Sequence, residues 1–288
     1  MERKGGVRVI RNIKSMFEYS TKNRLEGETI GFVPTMGALH AGHVSLIRRA
    51  SKDNDLIVVS IFVNPAQFGP REDFKKYPRN LRQDARLCKK AGVDVIFYPD
   101  IKEMYPADFK TYITVEHLSD VLCGQFRPGH FKGVATVVVK LFNIVSPNIA
   151  YFGQKDAQQA VIIKRMVEDL DIPVKIRVMP TVREKDGLAM SSRNAYLSKD
   201  ERKQSLVLYQ ALRLAKELVK QGKRDPRAII QKMRRLISKK RSAKIQYIAI
   251  VDLKDLKPVD KIKDKVLITQ AVWLGKTRLI DNIIINPG

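Results

Sequence analysis

The stretch TIGFVPTMGALHAGHVSLIRRASKDNDLIVVSIFV, residues 29–63, contains one strand–turn–helix–strand unit and decides the fold class. Its two apolar runs, residues 29–34 and 55–63, have the length and composition of buried strands. The segment between them, residues 43–54, has a helix-like pattern. Because strands joined through a single helix run parallel, this unit predicts a parallel sheet with helices packed against it.

The same alternation continues to about residue 180. Further strand-like runs occupy residues 93–99, 148–153 and 173–180, and helix-like segments occupy residues 80–92, 130–145 and 156–170. The segment VATVVVKLFNIV, residues 134–145, is apolar almost all round and should be a buried central helix. The pattern predicts an α/β fold with a doubly wound parallel sheet covered on both faces.

The pattern changes after residue 181. Residues 198–222 predict a helix that begins after Ser198 as N-cap and ends at Gly222. A second predicted helix, residues 224–240, carries Pro226 in its first turn, and strand-like runs follow at 243–252, 265–275 and 277–286. We therefore expect residues 1–181 to form the α/β domain. Residues 182–288 should form a smaller α+β domain, with helices before antiparallel strands, that acts as a lid.

The formal net charge of +24 raises the question of a nucleic-acid partner. Most of the excess lies after residue 181, yet apolar residues recur at helical spacing through the most basic stretch, residues 229–241. The cations are then the solvated face of an amphipathic helix. Since aromatic residues of the kind that stack on bases do not alternate with them, we predict no nucleic-acid partner.

Membrane and disulfide chemistry are also not expected. No run approaches the eighteen or so apolar residues of a membrane span, and the basic N-terminus lacks the apolar core of a signal peptide. The two cysteines, Cys88 and Cys123, have no metal-ligand spacing, and we interpret both as packing residues. These features favour a reducing, cytoplasmic compartment.

The turn PTMGALHAGH, residues 34–43, lies between the strand and the helix of the opening unit. Gly37 and Gly42 permit a tight turn and the close approach of backbone to a phosphate. A helix N-terminus offers free N–H groups to an anion, and His40 and His43 would lie on one side of its first turn. The pattern indicates a triphosphate site. The alternative is a plain turn whose histidines only cap the helix.

The stretch MSSRN, residues 190–194, lies at the predicted domain junction. Ser191 and Ser192 offer hydroxyl donors, and Arg193 offers a planar cation suited to phosphate oxygens, although an ordinary polar loop would look alike. Together, HxGH and MSSRN resemble the HIGH signature and the mobile KMSKS loop of class I aminoacyl-tRNA synthetases and small nucleotidylyltransferases. This resemblance implies a Rossmann-like sheet and attack on the α-phosphate of ATP, without identifying the substrate.

A third motif, YFGQKDAQQ at residues 151–159, leaves a strand and enters a helix. Gly153 allows the turn at the sheet edge where a nucleotide would bind, and Lys155 could neutralise a transferring phosphoryl group. Asp156 is equally suited to capping the next helix. One of Gln158 and Gln159 could face the cleft.

Two further motifs supply neutral and cationic groups for an acid. Asn64 and Gln67 follow a strand and suit a substrate hydroxyl or carboxylate. Arg127, in RPGHFKG at residues 127–133, could bind a carboxylate. Asp84 is a candidate carboxylate near Mg²⁺, and a helix-surface role is its alternative.

The chain resembles the pantothenate synthetase (pantoate–β-alanine ligase) family in six ordered blocks: PTMGALHAGH, FVNPAQF, YPR, RPGHFKGVATVV, FGQKD and PTVREKDGLAMSSRN. The resemblance implies that pantoate attacks the α-phosphate of Mg·ATP, giving pantoyl-adenylate and pyrophosphate. The amine of β-alanine then attacks the acyl carbon and releases AMP. It also implies a homodimer, through edge surfaces of the first domain.

The resemblance implies a role for each matching position. The expected ATP-binding residues are Met36, Gly37, Ala38, Leu39, His40, Ala41, Gly42, His43, Gly153, Gln154, Lys155, Asp156, Val182, Met190, Ser191, Ser192 and Arg193. Gln67, Gln159, Asn64 and Arg127 are expected to contact pantoate or β-alanine. The expected catalytic residues are His43 as proton donor, His40 on the phosphates, and Lys155. Two positions depart from the family pattern: Gln154, where Glu is frequent, and Ala157, where an aromatic residue is usual.

Two other functions remain open at this point. A nucleotidylyltransferase that makes a dinucleotide cofactor would use the same HxGH turn, but would lack the blocks around Asn64, Gln67 and Arg127. An RNA-binding protein would use the basic second half, and its retention on nucleic acid would fall steeply with salt.

Overall fold

The strand-like runs of the first half form one six-stranded parallel sheet in the computed structural model, which describes residues 6–70 and 72–287. The strands are β1 (Arg8–Ile10), β2 (Ile30–Thr35), β3 (Leu56–Ile61), β4 (Val95–Phe97), β5 (Ile149–Gly153) and β6 (Lys175–Met179). Their spatial order is β1-β4-β3-β2-β5-β6, and every pairing in the sheet is parallel. The prediction of a parallel sheet is confirmed.

Helices cover both faces of this sheet. They are α1 (Ile13–Leu25), α2 (Ala41–Asp53), α3 (Leu81–Ala91), α4 (Ile101–Met104), α5 (Cys123–Phe126), α6 (His130–Val145) and α7 (Ala157–Asp169). Successive residues of β2 show the two layers, because Phe32 packs into the core that α1, α6 and α7 share, whereas Val33 packs with α2 and α3. Most of α6 is buried, as its all-round apolar sequence predicts.

The strand order contains a switch point between β2 and β5. From β2 the chain continues to β3 and β4 on one side, and it later returns to place β5 and β6 on the other side. The loops after β2 and β5 therefore leave the sheet in opposite directions and open a crevice at its carboxyl edge, which is where ligands bind in such folds. The HxGH turn and the FGQKD stretch are these two loops.

The second half forms a three-stranded antiparallel sheet with helices on one face. The elements are α8 (Lys199–Ser205), α9 (Val207–Lys220), α10 (Pro226–Ile237), β7 (Ala243–Asp252), β8 (Val266–Leu274) and β9 (Thr277–Ile285). Along β8, Ile268 faces the core formed with α9 and α10, whereas Leu267 packs into the core of the first half. The small sheet is therefore packed between its own helices and the larger sheet.

Three local features differ from the sequence interpretation or refine it. The run 29–34 is the second strand, because β1 and α1 precede it; α1 was missed since only Met16 and Ser20 of its residues are buried, which gives almost no apolar periodicity. The helix predicted over 198–222 is interrupted at Leu206, although Ser198 does cap its start. In α10 Ile229, Met233 and Ile237 are buried, Ile230 and Leu236 are partly buried, and the cations are exposed, as predicted.

Both cysteines are buried and neither forms a disulfide. Burial raises the pKa of the Cys88 thiol to about 12, consistent with a packing role. Among the described residues, no helix combines the length and the apolar character that crossing a membrane requires.

Candidate active site

The HxGH turn is a backbone loop whose N–H groups donate to one buried carboxylate, that of Asp84. Gly37 and Ala38 both have positive φ, 81° and 50°, so the chain reverses sharply between β2 and α2. Asp84 in α3 accepts the N–H of Ala38 at 3.0 Å and that of Leu39 at 2.8 Å. A Cβ on Gly37 would lie 3.0 Å from an Asp84 oxygen, so the turn requires glycine there.

His40 and His43 are fixed in one tautomer by backbone donors of their own turn. The Nδ1 atom of His40 accepts the Gly42 N–H at 3.1 Å, and the Nδ1 atom of His43 accepts the His40 N–H at 3.3 Å. In a neutral imidazole whose Nδ1 is an acceptor, the proton is on Nε2. Both rings therefore offer an Nε2–H donor, and their centroids are 4.2 Å apart.

These two imidazoles are neutral at physiological pH. Burial, helped by the Lys155 ammonium, lowers the pKa of His40 to about 4. Burial, His40 and Lys155 together lower the pKa of His43 to about 3. The turn thus presents uncharged hydrogen-bond donors, and the positive charge beside them is carried by Lys155.

Gln67 is oriented by a buried neighbour. Asn64, 1% exposed, donates from Nδ2 to Gln67 Oε1 at 3.1 Å and to the Gly133 carbonyl at 3.0 Å. Because Gln67 Oε1 is already accepting, its Nε2 group is available as a donor, and it lies 3.0 Å from the Met36 sulfur. Asn64 therefore acts on the cleft mainly through Gln67.

Arg127 is part of a network that sequence reasoning missed. Its guanidinium binds both oxygens of Glu72, each at 2.6 Å, and contacts His130 Nε2 at 2.9 Å. His130 Nδ1 lies 2.7 Å from the Gln67 carbonyl, which can only accept, so Nδ1 carries the proton. Burial and the Arg127 charge lower the pKa of His130 to about 3. Arg127 faces the cleft, but a carboxylate of the chain itself occupies it.

The FGQKD stretch continues from β5 through one 3₁₀ turn, Gln154–Asp156, into α7. Lys155 lies in the cleft, with the nearest Asp156 oxygen 3.9 Å from its Nζ. Of the two glutamines, Gln159 faces the cleft, whereas Gln158 donates to the Leu118 and Val121 carbonyls and is buried. Asp156 occupies the N-cap position of α7 without a capping hydrogen bond from its side chain.

The MSSRN stretch closes the cleft from the side of the second half. Its path is set by a bond from the Met190 N–H to the Val182 carbonyl at 3.0 Å. Arg193 binds Asp73 through Nε at 3.1 Å and through a terminal nitrogen at 2.8 Å. The Ser192 hydroxyl lies 3.4 Å from that of Tyr77, so residues 72–77 of the first half meet this loop across the opening.

One cleft collects most of the predicted residues. It is lined, among others, by Met36, His40, Gly42, His43, Asn64, Gln67, Arg127, Gly153, Lys155, Asp156, Gln159, Val182, Met190, Ser191, Ser192 and Arg193. Gly37, Ala38 and Leu39 form the backbone turn beside it, Ala41 is exposed, and Gln154 is directed toward Asn282. Glu72, Asp73 and Tyr77 were missed, because only the folded chain brings their loop onto the two arginines.

The contacts of Asp84 favour a structural role. The side chain is 2% exposed, both oxygens accept backbone N–H groups, and it does not line the cleft. No cluster of three or more His, Cys, Asp or Glu side chains suited to a metal occurs within the described ranges. The magnesium role of Asp84 stays a prediction.

Relatives of known name cover almost the whole chain. A family model described as pantoate-beta-alanine ligase matches residues 8–284. The chain is 55% identical over 277 residues to pantothenate synthetase from Caldicellulosiruptor saccharolyticus, covering 96% of this chain and 99% of that one. It is 54% identical over 279 residues to the enzyme of the same name from Thermotoga petrophila, covering 97% and 100%.

Solved structures agree with the sequence relatives. Pantothenate synthetase from Thermus thermophilus superposes with a TM-score of 0.91 at 43% identity, over 96% of this chain and 99% of that one. Pantoate-beta-alanine ligase from Francisella tularensis, solved with beta-gamma ATP and beta-alanine, gives 0.80 at 36% identity over 98% and 100%. Because the family model matches residues 8–284, from β1 into β9, the chain belongs to the pantoate–β-alanine ligase family.

Proposed function

We propose that this chain condenses pantoate with β-alanine in an ATP-dependent reaction that passes through a pantoyl-adenylate. The observation that carries the proposal is the composition of a single cleft. Neutral Nε2–H donors and the Lys155 cation lie on its HxGH and FGQKD side, and the amides of Gln67 and Gln159 lie in the same cleft. A nucleotide and a hydroxy acid can therefore meet there.

In the first step, a pantoate carboxylate oxygen forms a bond to the α-phosphorus of ATP, and the bond to the pyrophosphate oxygen breaks. His40 and His43 donate Nε2–H bonds to phosphoryl oxygens, and Lys155 and Arg193 offset the negative charge that builds up on them. No proton needs to leave either imidazole. Catalysis by this chain then rests on positioning and charge stabilisation, without a covalent intermediate on the protein.

Pantoate itself fits the other side of the cleft. Gln67 and Gln159 offer amide groups to its hydroxyls and carboxylate. Val134, Val137 and Leu141 of α6 line the same cleft and suit the two methyl groups of the acid. In the second step β-alanine loses one ammonium proton to solvent, and its amine nitrogen forms a bond to the acyl carbon. The bond from that carbon to the bridging oxygen breaks, AMP leaves with the oxygen, and the nitrogen loses a second proton to give the amide.

Magnesium fits this site as an ion carried by the triphosphate. In the part of the chain that the structure describes, Asp156 is the one carboxylate that lines the cleft. Mg²⁺ keeps several waters and binds through one or two carboxylates plus substrate phosphates, which suits such a sparse site. Asp156 would hold it, and the ion would supply further charge neutralisation on the phosphates.

The test measures each half-reaction separately. Pyrophosphate release is followed with ATP and pantoate alone, and AMP release is followed after β-alanine is added. We expect pantoate-dependent pyrophosphate release without β-alanine, and pantothenate only with it. Nicotinate mononucleotide in place of pantoate is the control. Pyrophosphate release with that nucleotide and none with pantoate would replace this function by a nucleotidylyltransferase activity.

We further propose that residues 1–181 and 182–288 are separate domains and that the second acts as a lid. The contacts of Arg193 with Asp73 and of Ser192 with Tyr77, which join the two parts across the cleft, support this. Solution scattering with and without ATP and pantoate tests it. An unchanged radius of gyration and unchanged profile would argue against a lid.

We also propose a homodimer built by the first domain, in a cytoplasmic protein. Of the eight large apolar side chains that are exposed in the described residues, seven lie within residues 9–170 and Tyr196 lies outside the first domain; the seven include Phe17, Leu25, Ile101 and Tyr112. Two unbonded cysteines agree with a reducing compartment. Sedimentation should give twice the chain mass, and a monomer at micromolar concentration would contradict the dimer.

A further inference from the structure

One side chain of the small sheet reaches into the FGQKD stretch. Asn282, in the middle of β9, donates from Nδ2 to the carbonyl oxygens of Gln154 and Lys155, both at 2.9 Å. Its Oδ1 accepts from Gln154 Nε2 at 3.4 Å. Asn282 is 2% exposed, so these bonds are shielded from water.

Asn282 is itself held firmly. Its N–H donates to Asp281 Oδ1 at 2.8 Å, and the Asp281 carboxylate, 1% exposed, binds Arg183 at 2.7 and 2.9 Å. Arg183 directly follows Val182, and its guanidinium lies 4.0 Å from the centre of the Tyr209 ring. Asp281 and Asn282 therefore bind the two stretches that flank the proposed nucleotide site. Asp281 binds Arg183, next to Val182, and Asn282 binds the FGQKD stretch.

Lys155 depends on this attachment because, among the described residues, one carboxylate alone lies within 4 Å of its ammonium. The nearest carboxylate, Asp156, is 3.9 Å away, which is beyond hydrogen-bond distance, and its side chain is half exposed. The position of the lysine is then set by its backbone. Of the two backbone carbonyls that Asn282 holds, one belongs to Lys155 itself.

We propose that Asn282 is a positioning residue for adenylate formation, because it holds the backbone that places the Lys155 ammonium against the phosphates. The proposal rests on the function proposed above. Through Asn282, the small sheet then contributes to catalysis as well as covering the cleft. An error of about 1 Å in the position of a catalytic group can lower a rate by about 10²-fold.

Asn282→Asp is the sharpest variant, because it keeps the shape and replaces the donating NH₂ by an oxygen that repels both carbonyls. We expect the kcat of pyrophosphate release to fall about 10- to 100-fold. The KM for pantoate should stay within about two-fold, because Gln67 and Gln159 are not attached to Asn282. AMP release from preformed pantoyl-adenylate and β-alanine should change little.

A double-mutant cycle separates positioning from general damage. If Asn282 acts through Lys155, then Asn282→Asp should cost much less in a Lys155→Ala background than in the wild-type chain. Asn23→Asp is the matched control, since the part-buried Asn23 amide of α1 also donates to a carbonyl, that of Tyr19 at 2.7 Å, and does not line the cleft. It should lower stability and leave the half-reactions near wild type.

The outcomes are distinguishable. A wild-type chain without pantoate-dependent pyrophosphate release would remove the proposed function itself. With that activity present, an Asn282→Asp kcat within two-fold of wild type, or losses that multiply fully with Lys155→Ala, would overturn the positioning role. Should Asn282→Asp not fold, Asn282→Ala tests the same points with a smaller expected loss, because it removes the donors without adding repulsion.

Discussion

His40 and His43 differ from free histidines in having Nδ1 occupied by N–H groups of their own turn. This fixes where the remaining proton lies, and it explains why both rings can donate without being charged. The expectation that His43 is a proton donor is thereby sharpened to hydrogen-bond donation by a neutral ring. That role stays a proposal until the half-reactions are measured.

A first prediction concerns the pH dependence of pyrophosphate release. With pKa values of about 4 for His40 and about 3 for His43, neither ring changes charge between pH 6 and 8. The rate should therefore show no histidine inflection near pH 6.5, and protonation of these rings should reduce it only below about pH 5. Single-turnover rates from pH 5 to 8 measure this, and a loss centred at 6.5 that disappears in His43→Asn would contradict it.

A second prediction concerns Asp84. In Asp84→Asn one acceptor oxygen becomes an NH₂ group facing a backbone N–H, so we expect a loss of ~1–3 kcal/mol in unfolding free energy and a higher KM for ATP. Raising Mg²⁺ should not restore activity, whereas a lost metal ligand would be rescued in part. Asp225→Asn is the control, because Asp225 accepts one N–H as the N-cap of α10 and Asn caps as well.

At the scale of elements, the sequence predicts most of this molecule because its strands and helices carry their own periodicity. The buried helix α6 has the predicted bounds, residues 130–145, and it ends with its apolar run. In contrast, β1 and α1 lack a contiguous apolar signal, and α8 and α9 are separated by a break that no glycine or proline marks. These features depend on tertiary contacts.

The candidate site likewise contains residues that the sequence predicts and residues that it does not. Motif residues such as His43 and Lys155 could be located from loops that follow strands, since the carboxyl ends of parallel strands share one edge. The partners Glu72, Asp73 and Asn282 could not, because no spacing links them to the side chains that they bind. Arg127 was recognised, but its pairing with Glu72 was not.

A third prediction concerns the packing of α6 against the turn that carries Gln67. A Cβ on Gly133 would lie 2.2 Å from the Ala66 carbonyl oxygen, a clash that only movement of this turn can relieve. Gly133→Ala should therefore destabilise the chain by ~1–3 kcal/mol and raise the KM for pantoate. In Gly153→Ala, by comparison, the added Cβ meets no atom within 4 Å, so its melting temperature should stay near wild type. Equal melting temperatures for both variants would contradict this prediction, because the turn at Ala66 would then move at little cost in free energy.

At the scale of the whole molecule, the pH dependence of stability follows less from the net charge of +24 than from where the titrating groups lie. Three of the four histidines line the cleft, and burial lowers the pKa of each. The unfolded chain binds their protons at about pH 6.5, whereas the folded chain does not until about pH 4 or below. The stability that neutral rings contribute is therefore present above pH 6.5 and is lost as the pH falls toward 4.

A fourth prediction follows from this linkage. The urea concentration at the unfolding midpoint should fall between pH 7 and about pH 5.5, above the range in which the unfolded chain begins to protonate carboxyls such as Asp53 and Glu72, whose pKa values are lowered in the folded chain. His43→Asn keeps an acceptor for the His40 N–H but has no ring to titrate, so its fall should be shallower. A wild-type midpoint that is flat over this window would contradict buried neutral histidines.

The fixed ring protons also specify what a competitive small molecule must present. Two donors on rings whose centroids are 4.2 Å apart call for acceptor oxygens close together in the ligand, and the neutral rings do not themselves require those oxygens to be charged. An uncharged, oxygen-rich linker between an adenosine and an acyl chain would satisfy both donors without the desolvation that a phosphate suffers. The same linker carrying N–H groups at those positions would be rejected, because donor would face donor.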